Sequence, residues 1–226
     1  DDITFYDCNF GDSIFNQEVK TVSTDSTGAL MGICVQKADG TLGTVDYYKK
    51  QEYGWTDAMK LAQTLKGKDR VVVDLYADWT AVEGQFTDNF YNDVGFDWDA
   101  IHIPQNVRVT FNLNGHKINR GLTTDESNGE VICIDKNADV IINGGTITGN
   151  AAKRSETDTA GYGGGVFMSV TAKLTVNGGT IYRNQAYNGG GIYTTGDKGV
   201  KCTVQGGDIT RNTAACHGGG IMLEAL

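Results

Sequence analysis

The feature that most constrains this chain is a short block, Asn-Gly-Gly-Thr-Ile, that keeps returning. The segments Leu113-Asn114-Gly115-His116-Lys117-Ile118-Asn119-Arg120, Ile142-Asn143-Gly144-Gly145-Thr146-Ile147, Val176-Asn177-Gly178-Gly179-Thr180-Ile181 and Val204-Gln205-Gly206-Gly207-Asp208-Ile209 superimpose. Their first glycines are 29, 34 and 28 residues apart. A second block follows each of the later ones: Gly163-Gly164-Gly165-Val166, Gly189-Gly190-Gly191-Ile192 and Gly218-Gly219-Gly220-Ile221. A weaker form stands at Gly129-Glu130-Val131. Asn150 to Gly163 takes 13 steps, whereas Asn184 to Gly189 takes 5 and Asn212 to Gly218 takes 6. The surplus is a polar insertion over 151–160 at one corner of one repeat. A fixed period of this length marks a stacked repeat architecture.

The alignment sorts residues into columns. It places Phe111, Val140, Leu174 and Cys202 together, then Leu113, Ile142, Val176 and Val204. Ile118, Ile147, Ile181 and Ile209 form a third column, and Val131, Val166, Ile192 and Ile221 a fourth. Apolar residues alternating at period two read as strands with one face inward. About three short strands per repeat, split by glycine turns and with no helix between them, predict a chain coiling on itself. Each coil advances roughly 4.8 Å, so four make a rod of about 19 Å. Every stacked aliphatic contributes on the order of 1.5–3 kcal/mol once buried. Asn150, Asn184 and Asn212 fall in one column and are expected to hydrogen-bond up the stack. The 31 glycines against a single proline, Pro104, suit tight corners rather than a linker.

Asn-Gly-Gly-Thr-Ile-x-x-Asn-x-Ala followed by Gly-Gly-Gly-Ile resembles the repeat of right-handed parallel β-helix proteins of the pectate-lyase-like superfamily. It is especially similar to bacterial cell-surface repeats of the polymorphic outer-membrane type. The resemblance covers about half the chain, residues 105–226. It implies an all-β, right-handed parallel β-helix (solenoid) with an N-terminal helical cap and a small β-rich leader. The superfamily includes lyases, hydrolases, esterases and adhesins, so it implies fold more narrowly than activity.

Ahead of the coils, residues 51–104 are expected to form the cap. A helix is predicted over 55–67, with Thr56 as N-cap, Ala58, Leu61, Ala62 and Leu65 on one face, and Gly67 as the stop. Val71-Val72-Val73-Asp74-Leu75-Tyr76 reads as a strand, and Ile101-His102-Ile103-Pro104 leads into the first coil. Such a cap would cover the otherwise open end of the stack. Asp78-Trp79-Thr80-Ala81 resembles the opening of secreted β-helix proteins of gut-type Gram-positive bacteria. Residues 1–50 form the β-rich leader, with a hairpin turn at Asp39-Gly40. The sequence stops just after a fresh Gly-Gly-Gly-Ile, so a longer parent chain, or end-to-end self-association, is expected to cover that end.

A formal charge of −9 repels a phosphate backbone and argues against nucleic acid. No window is long and apolar enough for membrane insertion through a helix. The five cysteines contain no C-x-x-C pair, so zinc-finger and thioredoxin readings fail. Cys133 and Cys202 are expected on inward rows, and Cys8 and Cys34 remain a candidate bridge.

Candidate chemistry concentrates in three places. His217, before Gly218, resembles the Gly-His-Gly of polygalacturonases, with Asp208 the nearby carboxylate; the alternative is a turn histidine. Arg120, Arg183 and Arg211 share a column expected on the outside, where they could abstract a proton as in pectate lyases or grip an anionic glycan. Tyr182 and Trp98 add aromatic faces to that binding set. In the acidic, aromatic run 86–99, Asp88, Asp93, Asp97 and Asp99 could hold Ca²⁺, a hard ion that wants oxygen ligands, or the aromatics could simply plug the cap. These readings combine into an expectation of a non-catalytic, adhesin-like extracellular or cell-surface module of bacterial origin. It would bind polysaccharide or host-surface glycan and carry no cofactor unless Ca²⁺. The alternative is a polysaccharide lyase or glycoside hydrolase of acidic polysaccharide.

Overall fold

A computed structural model describes residues 5–6, 21–23, 25–81, 100–122, 130–151, 161–196 and 199–224. The N-terminal part carries β1 (Phe5–Tyr6), β2 (Thr21–Ser23), β3 (Met31–Gln36), β4 (Asp46–Tyr48) and α1 (Gln51–Leu65). The chain then winds through β5 (Arg70–Leu75), β6 (Trp79–Thr80) and β7 (Ile101–Ile103). Next come β8 (Arg108–Asn112), β9 (Lys117–Asn119) and β10 (Ile132–Ile134), then β11 (Asp139–Asn143), β12 (Thr146–Thr148) and β13 (Val166–Met168). It closes with β14 (Lys173–Tyr182), β15 (Gln185–Asn188), β16 (Ile192–Thr194), β17 (Lys201–Thr210), β18 (Thr213–His217) and β19 (Ile221–Leu223).

These strands form a parallel β-solenoid. One face stacks β5, β8, β11, the first half of β14 and β17, all parallel. A second stacks β6, β9, β12, the second half of β14 and β17. A third stacks β7, β10, β13, β16 and β19. The isoleucine column is as expected: Ile118, Ile147, Ile181 and Ile209 pair in sequence, with Trp79 ahead of them.

Three columns are corrected. Val140 lies beside Val109, and Ile142 beside Phe111, so Phe111 and Leu113 each belong two residues further along than the alignment put them. The cause is a longer turn between β8 and β9: Asn114 and Gly115 both take positive φ (51° and 83°), and Leu113 folds under them into the core. The partner of Val166 is Ile132 and not Val131. Cys133, flanked by the inward Ile132 and Ile134, therefore sits on the outward side of its strand, where it is nevertheless buried.

The helix begins a turn earlier than predicted, with Lys50 as N-cap and no side-chain cap bond. The Gln51 amide secures that start by donating to the carbonyls of Leu30 and Ala77. At the other end Lys66 turns left-handed (φ 51°), and Gly67 follows with φ 71°. Trp55 on α1 meets Trp79 at 5.2 Å and Phe111 edge-on at 5.6 Å, so the helix covers the head of the isoleucine column and reaches the column beside it. The leader closes the adjacent sheet edge: β3 pairs antiparallel with β5, and β4 with β3. Asp39-Gly40 forms the tight turn expected there, between the antiparallel partners Gln36 and Leu42.

The Gly-Gly-Gly runs exist because successive coils touch there. A Cβ on Gly191 would stand 2.4 Å from the Gly220 carbonyl oxygen and 2.8 Å from Ile209 Cγ2. Gly191→Ala is expected to cost about 1–3 kcal/mol through overpacking against backbone that cannot yield. At Gly178 the nearest atom to a new Cβ is 3.9 Å away, so Gly178→Ala should shift the urea midpoint little by comparison.

Candidate functional site

Because Ile118, Ile147, Ile181 and Ile209 point inward, their strand neighbours point out. One outward row runs Lys117, Thr146, Thr180, Asp208, and the next runs Asn119, Thr148, Tyr182, Thr210. This face is therefore dominated by hydroxyl groups, with one aromatic ring near its edge. The edge itself is the corner where each coil turns away from the face. Gly149, Arg183 and Arg211 take that corner with φ of 87°, 53° and 54°.

The corner conformation has an interior cause. The residue after each corner is Asn150, Asn184 or Asn212, and these side chains form the expected ladder. Asn184 Nδ2 donates to Asn212 Oδ1 at 3.2 Å and to the Ile147 carbonyl at 3.1 Å. The backbone N–H of Asn150 donates to Asn184 Oδ1, and that of Asn184 to Asn212 Oδ1. With asparagine anchored inward, the left-handed residue before it is thrown outward.

Arg183 and Arg211 consequently converge on one ring. Their guanidinium carbons lie 5.1 and 5.8 Å from the Tyr182 centroid, and Arg211 Nη1 donates to the Tyr182 hydroxyl at 3.3 Å. Both arginines are exposed. Among the described residues no carboxylate forms an ion pair with either. Each cation–π contact is worth about 0.5–1 kcal/mol at an exposed site, enough to hold the pair together but too little to neutralise it. The result is a localised positive patch on an otherwise acidic chain.

No family model, curated protein or solved structure matches this chain. Arg120, expected outside with the other two arginines, is 5 % exposed and is followed by the positive-φ Gly121, so the exposed column is shorter than predicted. Asp208 lies on the outward face, paired in register with Thr180, while His217 belongs to β18 on a different sheet. Among the described residues no hydrogen bond or ion pair joins Asp208 to His217 or to Arg211. Trp98 and the acidic set Asp88, Asp93, Asp97 and Asp99 lie outside the described residues, as does the insertion beyond Ala151. Among the described residues no cluster of three metal-ligating side chains occurs. None of their helices is long and apolar enough to cross a membrane.

Sequence reasoning passed over a second amide ladder at the opposite corner of this face. Asn177 Nδ2 donates to Asn143 Oδ1, Asn143 to Asn112, and Asn112 to Asp74, at 2.8, 2.7 and 2.8 Å. The two Asn-Gly pairs at 143–144 and 177–178 were the available signal. It also passed over an aromatic row on the third face, where Tyr193 stacks on Phe167 at 5.7 Å and meets Tyr162 at 4.8 Å. Burial and the bonded Glu224 carboxylate push the Tyr193 phenol upward.

Proposed function

We propose that this chain is a non-catalytic, adhesin-like module of a bacterial extracellular or cell-surface protein that binds glycan on the face bearing Tyr182. On the resemblance of its repeat blocks we also assign it to the pectate-lyase-like superfamily. The observation that carries the binding reading is the cluster of half-buried Tyr182 with exposed Arg183 and Arg211, beside rows of threonine hydroxyls. Sugars need just those contacts: a ring for their apolar face, and groups that donate to and accept from hydroxyls. Two arginine forks add bidentate recognition of acidic substituents.

A glycan array probed with the 226-residue chain tests the proposal. Tyr182→Ala is expected to weaken the best binders by about threefold to tenfold, the scale of one lost aromatic contact. A blank array, or binders untouched by Tyr182→Ala, rejects the reading. Release of unsaturated uronate from an acidic polysaccharide, lost in Arg183→Ala, would replace it with the lyase alternative.

A further inference from the structure

The structure assigns Cys216 as a nucleophilic thiol, held by His217 and Asn188, that exchanges with disulfides. This inference is independent of the glycan reading. Asn212 to Gly218 takes one residue more than Asn184 to Gly189. That residue appears as a bulge in β18. Ala214 pairs with Ala186, but His217, not Cys216, pairs with Asn188. In a regular strand neighbouring side chains point to opposite faces and cannot meet. A bulge breaks that alternation and re-aims side chains. Here it brings Cys216 Sγ to 2.9 Å from His217 Nδ1.

Asn188 decides which atom carries the proton. The backbone N–H of His217 donates to Asn188 Oδ1 at 3.1 Å, which identifies that atom as the oxygen. The same oxygen lies 3.3 Å from His217 Nδ1. An amide oxygen only accepts, so Nδ1 bears the hydrogen. Sγ, on the same nitrogen, then receives a hydrogen bond rather than giving one. Nucleophile, imidazole and a third group that orients the imidazole thus stand together, with Nδ1–H aimed at the sulfur, where it favours the negative charge that a nucleophilic sulfur carries. His217 Nε2 stands further off, 3.9 Å from Sγ.

The other described cysteines lack this setting. Cys34 and Cys133 are buried and Cys202 is half-buried, whereas Cys216 is exposed. Burial pushes the Cys34 and Cys202 thiols up, away from reactivity. The step is a simple exchange. With the thiol proton given up to solvent, the Cys216 sulfur, accepting from Nδ1–H, attacks one sulfur of a small disulfide and forms a new S–S bond. The original S–S bond breaks, its electron pair leaves on the second sulfur, and that thiolate takes a proton from solvent. The disulfide is the oxidant, and one thiol is released per thiol consumed.

The test uses the whole chain with a small aromatic disulfide near neutral pH, with the modified peptide located by mass spectrometry and the released thiol followed by absorbance. Cys216 is expected to react first, about tenfold or more faster than in the chain unfolded in denaturant. His217→Ala and Asn188→Ala should each return Cys216 to within about twofold of the unfolded rate, with the far-UV spectrum unchanged. If His217→Ala disturbs the fold, Asn188→Ala carries the test alone. Reaction at Cys216 no faster than in the unfolded chain overturns the assignment, and so does a rate indifferent to both substitutions.

Discussion

Ile181→Asp is expected to abolish the cooperative unfolding transition of this chain. Ile181 is 2 % exposed and lies between Ile147 and Ile209 in one continuous column of the interior. The substitution removes the stacking contacts, worth about 2–5 kcal/mol for a buried aliphatic. It also leaves a carboxylate with no partner in an apolar stack, which costs several kcal/mol more, on the order of the whole stability of a domain. Gly165 leaves no slack nearby, because a Cβ there would already sit 2.7 Å from Ile181 Cγ2. Ile181→Val, which keeps the column apolar, should cost only about 0.5–1.5 kcal/mol. Urea titration followed by far-UV circular dichroism distinguishes them. An aspartate variant with a midpoint near the parent's would show that the column is not inside.

Asn184→Leu is the second large effect, because its volume is similar and only the hydrogen bonds change. Asn184 is fully buried, and its side chain accepts from the Asn150 N–H and donates to the Ile147 carbonyl and to Asn212. Leucine strands the Asn150 N–H and the Ile147 carbonyl, whose bonds to Asn184 are buried, at about 1–3 kcal/mol apiece. A loss of about 3 kcal/mol or more is expected. Asn143→Leu provides the contrast. Its bonds to Asn112 and Asn177 lie in a ladder that is only part-buried or exposed, so water replaces what is lost and the expected cost is about 1 kcal/mol or less. Equal midpoints for the two variants would mean that the inner ladder is not a structural support.

The inner asparagine ladder was legible because it needs no knowledge of the third dimension beyond the period. Asn150, Asn184 and Asn212 follow their isoleucines at constant spacing, so whatever stacks the isoleucines stacks the asparagines. The cap was legible for a related reason: an apolar stripe next to a glycine stop can only be satisfied by covering something. The errors fall where coils differ in length. Phe111 was misplaced because the turn through Asn114 and Gly115 is two residues longer than its later counterparts. Arg120 was placed outside by analogy with Arg183 and Arg211, yet its coil turns at Gly121 instead and buries it.

The candidate sites divide in the same way. Tyr182, Arg183 and Arg211 could be grouped from the repeat, but nothing in the spacing required two guanidinium groups to settle on one ring. Cys216 attracted no attention in the linear chain, because adjacent residues on a strand should face apart. Local spacing alone determined the coil period, the glycine corners, the isoleucine and asparagine columns and the order of strands, since each recurs within one repeat. Tertiary structure decided the cross-coil register, the burial of Arg120 and the meeting of Cys216 with His217 and Asn188. Those depend on how coils of unequal length align across a hydrogen-bonded ladder, and a one-residue difference there reverses which way a side chain faces.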